Sequence, residues 1–377
     1  MVVAAPDKMW MKEALKLAEK GCGFVNPNPM VGALLVHDGQ IIGSGYHEYF
    51  GGPHAEVNAI RDAVSNHPEL IHLSTLYVTL EPCSHTGKTP PCTDLILEHK
   101  IPRVVIAMQD PNPLVAGRGM ATLKTAGVEV STGVMAEEAV RLNEVFIKFI
   151  TTGKPFVILK SAATLDGKIA TVTNASGWIT GEPSRRYVHR LRQRLSSVMV
   201  GVDTVIADDP LLNIRLPGKW RQPFKIVADS SLRIPLTSRL LAVDPQLTIV
   251  ATSREADISK VRGIERLGAQ VVMVPKSDHR LDLAALAEIL GTMGIDSVLL
   301  EGGSTIAFSA LRAGIVDKVV YFIAPRILGG ASAPSPVGGA GIADMEDAIQ
   351  LHNMNVKRIG EDLMVEAMVV GHSTLTQ

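Results

Sequence analysis

Short apolar strands alternate with helical segments twice along this chain, and this alternation restricts its fold more than any other feature. In the first half the apolar runs predict strands, and the segments with helical periodicity predict helices. The predicted strands are 30–36, 76–80 and 104–108, and the predicted helices are 9–20, 54–64 and 93–100. Strands and helices in strict alternation predict a three-layer α/β/α arrangement.

A second series begins at residue 155 and predicts a second α/β domain. Its strands are predicted at 155–159, 197–200, 225–228, 248–251, 270–274 and 297–300. Between the two series a predicted helix, 137–147, is followed by the stretch TTGKP at 151–155, whose Gly and Pro end a helix and begin an extended segment. We therefore expect two domains, 1–150 and 151–377. The composition of 329–341, rich in Gly, Ala, Ser and Pro, predicts a mobile loop.

The charge of the chain argues against a protein that grips nucleic acid along its backbone. Hydrophobic residues make up 46% of the sequence and charged residues 20%, and the formal net charge is −1. Such a chain has enough apolar material for buried sheets but lacks the basic surface that nonspecific binding to DNA or RNA requires. We expect a globular protein with no nucleic-acid partner.

The termini and the cysteines predict a cytoplasmic protein. The first twenty residues mix acidic and basic side chains into a helical pattern, and no run of 18 apolar residues occurs anywhere. Neither a signal peptide nor a membrane span is predicted. Three cysteines are too few, and of the wrong parity, for a disulfide framework.

The stretch GGPHAEVNAI, residues 51–60, places His54 and Glu56 in the first turn of a predicted helix. A solvated acid in a first turn suits the helix dipole and needs no further role. The stretch EPCSHTGKTPPC, residues 81–92, gives a second meaning to the pair, because it places Cys83 just past a strand and Cys92 at the start of a helix. One His and two Cys are three ligands for Zn²⁺ and leave a fourth position for water, which is the catalytic arrangement.

Glu56 then acquires a chemical role. Zinc brings the pKa of a bound water to roughly 7, and a carboxylate beside it can accept that proton and pass it on. The combination of H-x-E with P-C is the signature of zinc deaminases, in which the Glu is a proton shuttle and not a ligand. A non-enzymatic alternative makes the zinc a structural clip, with His85 as the fourth ligand. Cys22 is interpreted as a small buried hydrophobe.

Four motifs of the first half resemble the deaminase domain of the bifunctional riboflavin-biosynthesis deaminase/reductase family, the RibD family. They are NPNPMVG (26–32), GYHEYFGGPHAE (45–56), TLEPCSHTGKTPPC (79–92) and DPNP (110–113). The eight residues between the two cysteines distinguish this pattern from the P-C-x-x-C of cytidine and tRNA adenosine deaminases. The resemblance implies a cytidine-deaminase-like domain.

Five motifs of the second half resemble the reductase domain of the same family. They are KSAATLDGKIA (160–170), SGWIT (176–180), GVDTVIADDPLLNIR (201–215), DSSLRIP (229–235) and EGGST (301–305). No G-x-G-x-x-G occurs in the chain, which disfavours a standard dinucleotide-binding Rossmann unit. The resemblance implies a dihydrofolate-reductase-like α/β domain that uses NADPH. The glycines of EGGST, at a predicted helix start, offer open backbone N–H groups to a pyrophosphate, although a plain strand-to-helix turn has the same pattern.

The resemblance implies two consecutive reactions on a phosphoribosylated pyrimidine. The first domain would hydrolytically deaminate 2,5-diamino-6-(5-phosphoribosylamino)pyrimidin-4(3H)-one to the aminouracil, and the second would reduce the ribosyl to the ribityl side chain with NADPH. A homo-oligomer without membrane contact is expected. The residues that the resemblance assigns to contact with the deaminase substrate are Asn26, His47, His85, Lys88, Asp110 and Asn112. Without the resemblance, His47 and His85 would be interpreted as solvated loop histidines.

In the reductase domain the resemblance assigns two sets of residues. The contacts to the cofactor would be Ala162, Trp178, Thr204, Asp208, Ser230, Gly303, Ser304 and Thr305. The contacts to the substrate would be Ser176, Arg192, Leu212, Arg215 and Glu301. Arg192 lies off the row formed by Arg186, Arg190 and Arg194 on a predicted helix, so with Arg215 it could form a fork on the ribosyl phosphate. Lys160 and Asp208 could assist proton delivery.

The main alternative function is a nucleic-acid or nucleoside base deaminase with an appended ligand-binding domain. The near-neutral charge and the 4% of aromatic residues argue against it, because single-stranded nucleic acid is bound by basic grooves and stacked aromatic rings. The long insertion between the cysteines argues against it as well.

Overall fold

The computed structural model describes residues 5–84, 90–112, 115–173, 175, 177–277 and 279–371. The chain forms two compact units, Met1–Thr152 and Gly153–Gln377. Helix α6, Glu144–Thr152, runs through the predicted boundary at residue 150, so the first unit ends where this helix ends. Within the described ranges no helix has both the length and the apolar character that crossing a bilayer requires.

The first unit is built on a five-stranded mixed sheet in the order β2-β1-β3-β4-β5. The strands are β1 Gly32–His37, β2 Gln40–Tyr46, β3 Thr75–Leu80, β4 Arg103–Met108 and β5 Glu129–Thr132. The helices are α1 Ala5–Ala18, α2 Ala55–Asn66, α3 Cys92–Glu98, α4 Arg118–Thr125, α5 Ala136–Leu142 and α6 Glu144–Thr152. β1 is antiparallel to both β2 and β3, whereas β3, β4 and β5 are parallel.

Glycines let helices lie directly on both faces of this sheet. A Cβ on Gly43 or Gly45 of β2 would overlap backbone atoms of Ala59 in α2. Gly32 pairs with residue 46, the neighbour of Gly45, and therefore faces the other side of the sheet. There a Cβ would overlap the carbonyl oxygen of Ala14 in α1. α1 and α2 thus cover opposite faces, which confirms the predicted three-layer arrangement.

The second unit is built on a nine-stranded sheet in the order β10-β9-β8-β7-β13-β6-β14-β16-β15. Its strands are β6 Phe156–Thr164, β7 Ser197–Gly201, β8 Phe224–Ala228, β9 Thr248–Thr252, β10 Gln270–Met273, β13 Ser297–Glu301, β14 Lys318–Ala324, β15 Leu351–Ile359 and β16 Asp362–Val369. The first seven strands in spatial order are parallel, and β16 and β15 add an antiparallel hairpin. β11 Lys276–Ser277 and β12 Arg280–Leu281 form a separate two-stranded ribbon.

Helices connect the parallel strands of this unit, as the alternation predicts. They are α7 Glu182–Arg194, α8 Val202–Asp208, α9 Arg239–Ala242, α10 Ile258–Arg266, α11 Leu283–Thr292 and α12 Ser304–Arg312. Short 3-10 turns occur at Glu19–Gly21, Pro68–Leu73, Pro245–Leu247 and Met345–Asp347. Leu283, Leu286 and Leu290 of α11 share a buried cluster with Leu159 of β6 and Leu300 of β13. Burying each such side chain stabilises the fold by about 1.5–3 kcal/mol.

Asn143 divides the helix that the sequence predicts over 137–147. It lies between α5 and α6, is 2% exposed, and binds Met30 twice. Its Oδ1 accepts a hydrogen bond from Met30 N at 2.8 Å, and its Nδ2 donates to Met30 O at 3.0 Å. These two hydrogen bonds to the backbone of Met30 compete with a continuous helix, and the helix is interrupted at Asn143.

The segment 329–341 contains no helix or strand, as its composition predicts, but it is fixed at several points. Gly329 N donates to a carboxylate oxygen of Asp166 at 2.7 Å, and Ile169 N donates to the carbonyl of Pro334 at 2.9 Å. Gly338 N donates to the carbonyl of Ser304, in the first turn of α12, at 3.0 Å. The composition predicts a mobile loop but does not predict these hydrogen bonds, which hold the segment to the rest of the unit.

Candidate active sites

The three predicted zinc ligands of the first unit come together from three separate elements. His54 is the N-cap residue of α2, Cys83 follows the end of β3, and Cys92 is the first residue of α3. Their ligand atoms all lie within 4.8 Å of one another. They form the one such cluster of His, Cys and acidic side chains in the part of the chain that the structure describes.

The spacing of these atoms fits a zinc ion. Nδ1 of His54 lies 3.3 Å from Sγ of Cys92 and 3.5 Å from Sγ of Cys83. With bonds of about 2.0 Å to nitrogen and 2.3 Å to sulfur, a tetrahedral zinc separates such ligands by roughly 3.5 Å. Three protein ligands leave one tetrahedral position for a reacting group. His85, the fourth ligand of the structural alternative, lies outside the described residues.

The cluster already carries the negative charge that a cation requires. Hydrogen bonds from the Cys92 thiol and from His54 lower the pKa of Cys83 to about 4. The backbone N–H of Cys92 also donates to Sγ of Cys83, at 3.3 Å. The hydrogen bond between the two cysteine side chains, together with burial, raises the pKa of Cys92. A thiolate is the form of cysteine that binds metal.

Glu56 lies in the first turn of α2 and is 4% exposed. Burial raises its pKa to about 7, against the opposing effect of His54. Its carboxylate also interacts with the Cys92 thiol, so it borders the ligand cluster. A group with a pKa near 7 can both accept and release a proton at neutral pH, which is what a proton shuttle must do.

His47 is a buried residue and not the solvated loop histidine of the alternative interpretation. It is 3% exposed, and its ring meets the His54 ring edge to face at 5.9 Å between centroids. Its Nδ1 lies 2.9 Å from the carbonyl of Pro53, so Nδ1 carries the proton and donates. Nε2 then accepts from Nδ2 of Asn28 at 3.1 Å, and burial lowers the pKa of His47 and keeps the ring neutral.

The other predicted contacts to the deaminase substrate lie on loops of the same unit. Asn26 precedes β1, and Asp110 and Asn112 follow β4; all three are half-buried. Asn112 N donates to Oδ1 of Asp110 at 2.8 Å, which orients that carboxyl group. His85 and Lys88 lie outside the described residues.

In the second unit six of the eight predicted cofactor contacts lie at the carboxyl ends of four adjacent parallel strands, β8, β7, β13 and β6. Ser230 follows β8, Thr204 follows β7, Gly303 follows β13, and Ala162 lies in the last third of β6. In open parallel sheets, ligands bind at this edge. Ser304 and Thr305 begin α12 there.

The turn after β13 touches helix α8 at this edge. Gly302 and Gly303 have φ of 71° and 76°, a backbone region that favours glycine. A Cβ on Gly302 would lie 3.2 Å from Oγ1 of Thr204. The turn after β13 therefore passes directly against Thr204 of α8, and a glycine at position 302 leaves room for this contact.

The buried charges of Arg192 and Glu301 and the half-buried Lys160 lie beside this edge. Lys160 of β6 pairs in register with Glu301 of β13. Nε and Nη2 of Arg192 donate to the two carboxylate oxygens of Glu301 at 2.6 and 3.0 Å, and Nη1 donates to the carbonyl of Asn213 at 2.9 Å. Although burial alone would raise it, the charges of Arg192 and Lys160 lower the pKa of Glu301. Burial lowers the pKa of Lys160.

The predicted Arg192–Arg215 fork takes a different form in the structure. The guanidinium of Arg192 forms its fork on Glu301, whereas Arg215 is exposed and its backbone N–H donates to Nδ1 of His189 at 3.3 Å. Burial, together with the charges of Arg192 and Arg215, lowers the pKa of His189 to about 4. Burial and the charges of Arg192 and Arg239 lower the pKa of Arg215. Positive charge is therefore concentrated here.

The remaining predicted reductase residues differ in exposure. Trp178 is 69% exposed, and the Arg185 guanidinium stacks on its ring at 4.7 Å from the centroid. Leu212 is 4% exposed with φ of 51°, and Asp208 is exposed at the end of α8. Ser176 lies outside the described residues.

Three residues of these sites were absent from the sequence prediction: Asn28, Glu81 and His189. Asn28 binds His47, Glu81 accepts three backbone hydrogen bonds beside the zinc cluster, and His189 lies between two arginines. Asn28 and Glu81 stand inside the motifs NPNPMVG and TLEPC, so motif membership was a usable signal. His189 lies in an arginine-rich helix with no signal of its own.

Two family models match the sequence, and they divide it between the two units. The cytidine and deoxycytidylate deaminase zinc-binding region matches residues 5–108. The RibD C-terminal domain matches residues 155–365.

Curated relatives match along almost the whole chain. The riboflavin biosynthesis protein RibD of Actinobacillus pleuropneumoniae is 46% identical over 97% of this chain and 96% of its own length. The protein of the same name from Aquifex aeolicus is 44% identical over 95% of this chain and 97% of its own length.

Solved structures match equally far. Acinetobacter baumannii RibD, form 1, is 35% identical, with a TM-score of 0.86 over 97% of this chain and 99% of that one. The Thermotoga maritima diaminohydroxyphosphoribosylaminopyrimidine deaminase/5-amino-6-(5-phosphoribosylamino)uracil reductase is 39% identical, with a TM-score of 0.84 and the same coverage.

Proposed function

Because the chain belongs to the RibD family, the bifunctional deaminases and reductases of riboflavin biosynthesis, we propose which reaction each of its units performs and with which residues. The first unit deaminates 2,5-diamino-6-(5-phosphoribosylamino)pyrimidin-4(3H)-one to 5-amino-6-(5-phosphoribosylamino)uracil. The second unit reduces the ribosyl group of that product to a ribityl chain. The name of the Thermotoga maritima relative supports this substrate and this order.

His54, Cys83 and Cys92 hold the zinc of the first unit. When bound, zinc makes a water molecule nucleophilic near neutral pH. Deamination forms a bond between the water oxygen and the ring carbon that carries the 2-amino group, and it breaks the bond from that carbon to the amine. Glu56 accepts a proton from the water and delivers one to the departing nitrogen, which leaves as ammonia. Its buried position against the ligand cluster suits it to both transfers.

The substrate is held around this cluster by loop residues. We assign the contacts to Asn26, His47, His85, Lys88, Asp110 and Asn112. Both ring nitrogens of His47 have partners in the protein, at Pro53 and Asn28. His47 therefore contacts the substrate through its ring or orients Asn28, and it stays neutral while doing so.

In the second unit NADPH binds along the carboxyl edge of the sheet. The residues assigned to it are Ala162, Trp178, Thr204, Asp208, Ser230, Gly303, Ser304 and Thr305. The glycine turn at Gly302 and Gly303, at the start of α12, supports this assignment, because backbone N–H groups at a helix start favour pyrophosphate. NADPH supplies a hydride to C1′ of the ring-opened ribose.

The phosphate of the substrate binds where positive charge is concentrated. We assign it to Arg215, whose guanidinium is exposed, with Arg192 providing charge from its bond to Glu301. Ser176 and Leu212 complete the assigned substrate contacts. We assign proton delivery to the reduced group to Lys160, which pairs in register with Glu301, or to Asp208 at the end of α8.

We further propose a cytoplasmic homo-oligomer. The cysteines Cys22, Cys83 and Cys92 form no disulfide, as expected in a reducing compartment. The edge strand β15 exposes Leu351, Met354 and Val356 by 47%, 69% and 53%. An exposed apolar edge strand is a surface that a second copy can cover. Light scattering of the full chain tests this, with a monomer as the contrary result.

The observation that carries the proposed function is the position of Glu56, buried against a three-ligand cluster. The test supplies the diaminopyrimidine substrate first without NADPH and then with it. We expect stoichiometric ammonia release before NADPH is added, and consumption of NADPH only afterwards. Ammonia release that depends on NADPH would contradict the division of the two reactions between two sites.

A further inference from the structure

Glu81 is a buried carboxylate with three backbone donors. It lies between the end of β3 and Cys83, and it is 4% exposed. Oε2 accepts from the N–H of Asp110 at 3.2 Å and of Gly117 at 3.0 Å, and Oε1 accepts from the N–H of Met120 at 3.1 Å. One side chain thus holds three points of a single segment, 110–120, from 29 or more residues away in sequence.

This segment contains the start of α4, which its own residues do not cap. Gly117, the N-cap residue, has φ of 77° and offers no side chain. The first backbone N–H groups of a helix need outside acceptors, and a negative charge near them is favourable. Glu81 supplies both for Gly117 and Met120, so it caps α4 from the loop that follows β3.

Close packing fixes the direction from which α4 approaches Glu81 and Pro82. A Cβ on Gly119 would overlap the carbonyl oxygen of Pro82 and lie 3.2 Å from Oε1 of Glu81. The first turn of α4 therefore lies directly on the backbone of Pro82 and the side chain of Glu81. Cys83 is the next residue, so the zinc ligand and the segment 110–120 share one support.

We propose that Glu81 is a positioning residue of the deaminase reaction, which holds Asp110 and Asn112 in place relative to the zinc ligands. Its hydrogen bond from Asp110 N fixes the backbone at that residue. The hydrogen bond from Asn112 N to Oδ1 of Asp110 then holds Asn112 in place relative to Asp110. This inference rests on the proposed substrate contacts of Asp110 and Asn112. A role limited to stabilising α4 would leave substrate affinity unchanged.

The test begins with Glu81→Gln in the full chain. The substitution keeps the size of the side chain, removes its charge and turns an NH₂ group toward one of the backbone donors. We expect the deaminase KM to rise about tenfold, as for a lost charge-assisted hydrogen bond. The deaminase kcat should stay within about threefold, and zinc content and reductase activity should not change.

Asp62→Asn is the matched control. The Asp62 carboxylate also accepts a backbone N–H in this unit, from Ser44 at 2.8 Å, but it supports β2 and not the segment 110–120. This variant should leave the deaminase KM unchanged. An equal rise of KM in both variants would overturn the proposal, because it would reflect general loosening of the unit.

A double-mutant cycle with Asn112→Ala then tests the route of the effect. If Glu81 acts through this segment, Glu81→Gln should add little to the KM of Asn112→Ala. The proposal would be overturned if the two substitutions multiplied each other's effect on KM. It would also be overturned if Glu81→Gln left KM unchanged or removed the zinc. A silent Asn112→Ala would refute the contact assigned to Asn112. A raised KM in Glu81→Gln beside it would show that the effect does not pass through Asn112, which overturns the proposed route.

Discussion

Nε of Arg192 donates to Oε1 of Glu301 at 2.6 Å, and the two side chains are only 10% and 11% exposed. The pair joins helix α7 to the carboxyl end of β13, beside the edge where the cofactor is proposed to bind. Removing an arginine that pairs with a buried carboxylate leaves that charge without its partner, so this pair contributes to both the stability and the electrostatics of the second unit.

Arg192→Met should therefore destabilise the second unit by about 3–5 kcal/mol, because Glu301 stays buried without its partner. Thermal unfolding of the full chain measures this. The control is Arg186→Met on the same helix, whose pair with Glu182 is 62% and 72% exposed. We expect it to cost less than about 0.5 kcal/mol. Equal losses in the two variants would contradict the account of the buried pair.

Cys83→Ser and Cys92→Ser should each remove most of the zinc from the purified protein, since a serine hydroxyl does not replace a thiolate ligand. Metal analysis by atomic absorption checks this, with about one zinc per chain expected in the unchanged protein. Cys22→Ser is the control and should keep its metal. Full zinc occupancy in both ligand variants would refute the ligand assignment.

The first unit should lose stability in acid through Asp7. Hydrogen bonds from Arg103 lower the pKa of Asp7, with a further bond from Tyr77. The folded state therefore binds the proton less readily than the unfolded state does. The contribution is present above the unfolded pKa of about 3.9 and is lost as the pH falls through the folded value.

Asp7→Asn should accordingly flatten the acid limb of the stability curve and lower the free energy of unfolding at neutral pH by about 1–3 kcal/mol. Denaturant titrations between pH 2 and pH 7, on the order of one per pH unit, measure both effects. Glu129→Gln, at the 67% exposed second partner of Arg103, serves as the comparison and should change little. A steep acid limb that persists in Asp7→Asn would contradict this explanation.

Arg215→Ala should raise the reductase KM about tenfold or more, because a charge-assisted contact to phosphate contributes roughly 1.5–3 kcal/mol. Deamination should not change. Arg262→Ala, at an exposed arginine on α10, is the control for a general loss of charge. A selective loss of deamination in Arg215→Ala would refute the phosphate assignment.

Much of the fold could be predicted from the sequence because its elements have strong local periodicity. The apolar parallel strands from 156 to 301 are examples. β2, whose glycines accommodate α2, the short β5 and the half-exposed hairpin β15–β16 carry weak apolar patterns and were not predicted. The apolar strand β14 was not predicted either. The division of a predicted helix at Asn143 depends on its bond to Met30, which no local pattern shows.

The candidate sites were predicted to a similar extent and for similar reasons. His54, Cys83 and Cys92 carry distinctive chemistry at distinctive spacing, so motif reading could group them. Glu81 could not be understood in this way, because its role consists of bonds to backbone groups far along the chain. The partner of Arg192 was missed because a guanidinium that binds phosphate and one that binds a buried carboxylate have the same sequence pattern.

The most direct test of the central claim, two independent sites in one chain, is to measure both reactions in Glu56→Gln. This variant keeps the shape of the side chain and loses the proton shuttle. Ammonia release from the diaminopyrimidine should fall at least about a hundredfold. NADPH oxidation with 5-amino-6-(5-phosphoribosylamino)uracil should continue at the rate of the unchanged protein. Deamination that persists, or reduction that is lost together with it, would contradict the assignment of the two reactions to separate sites.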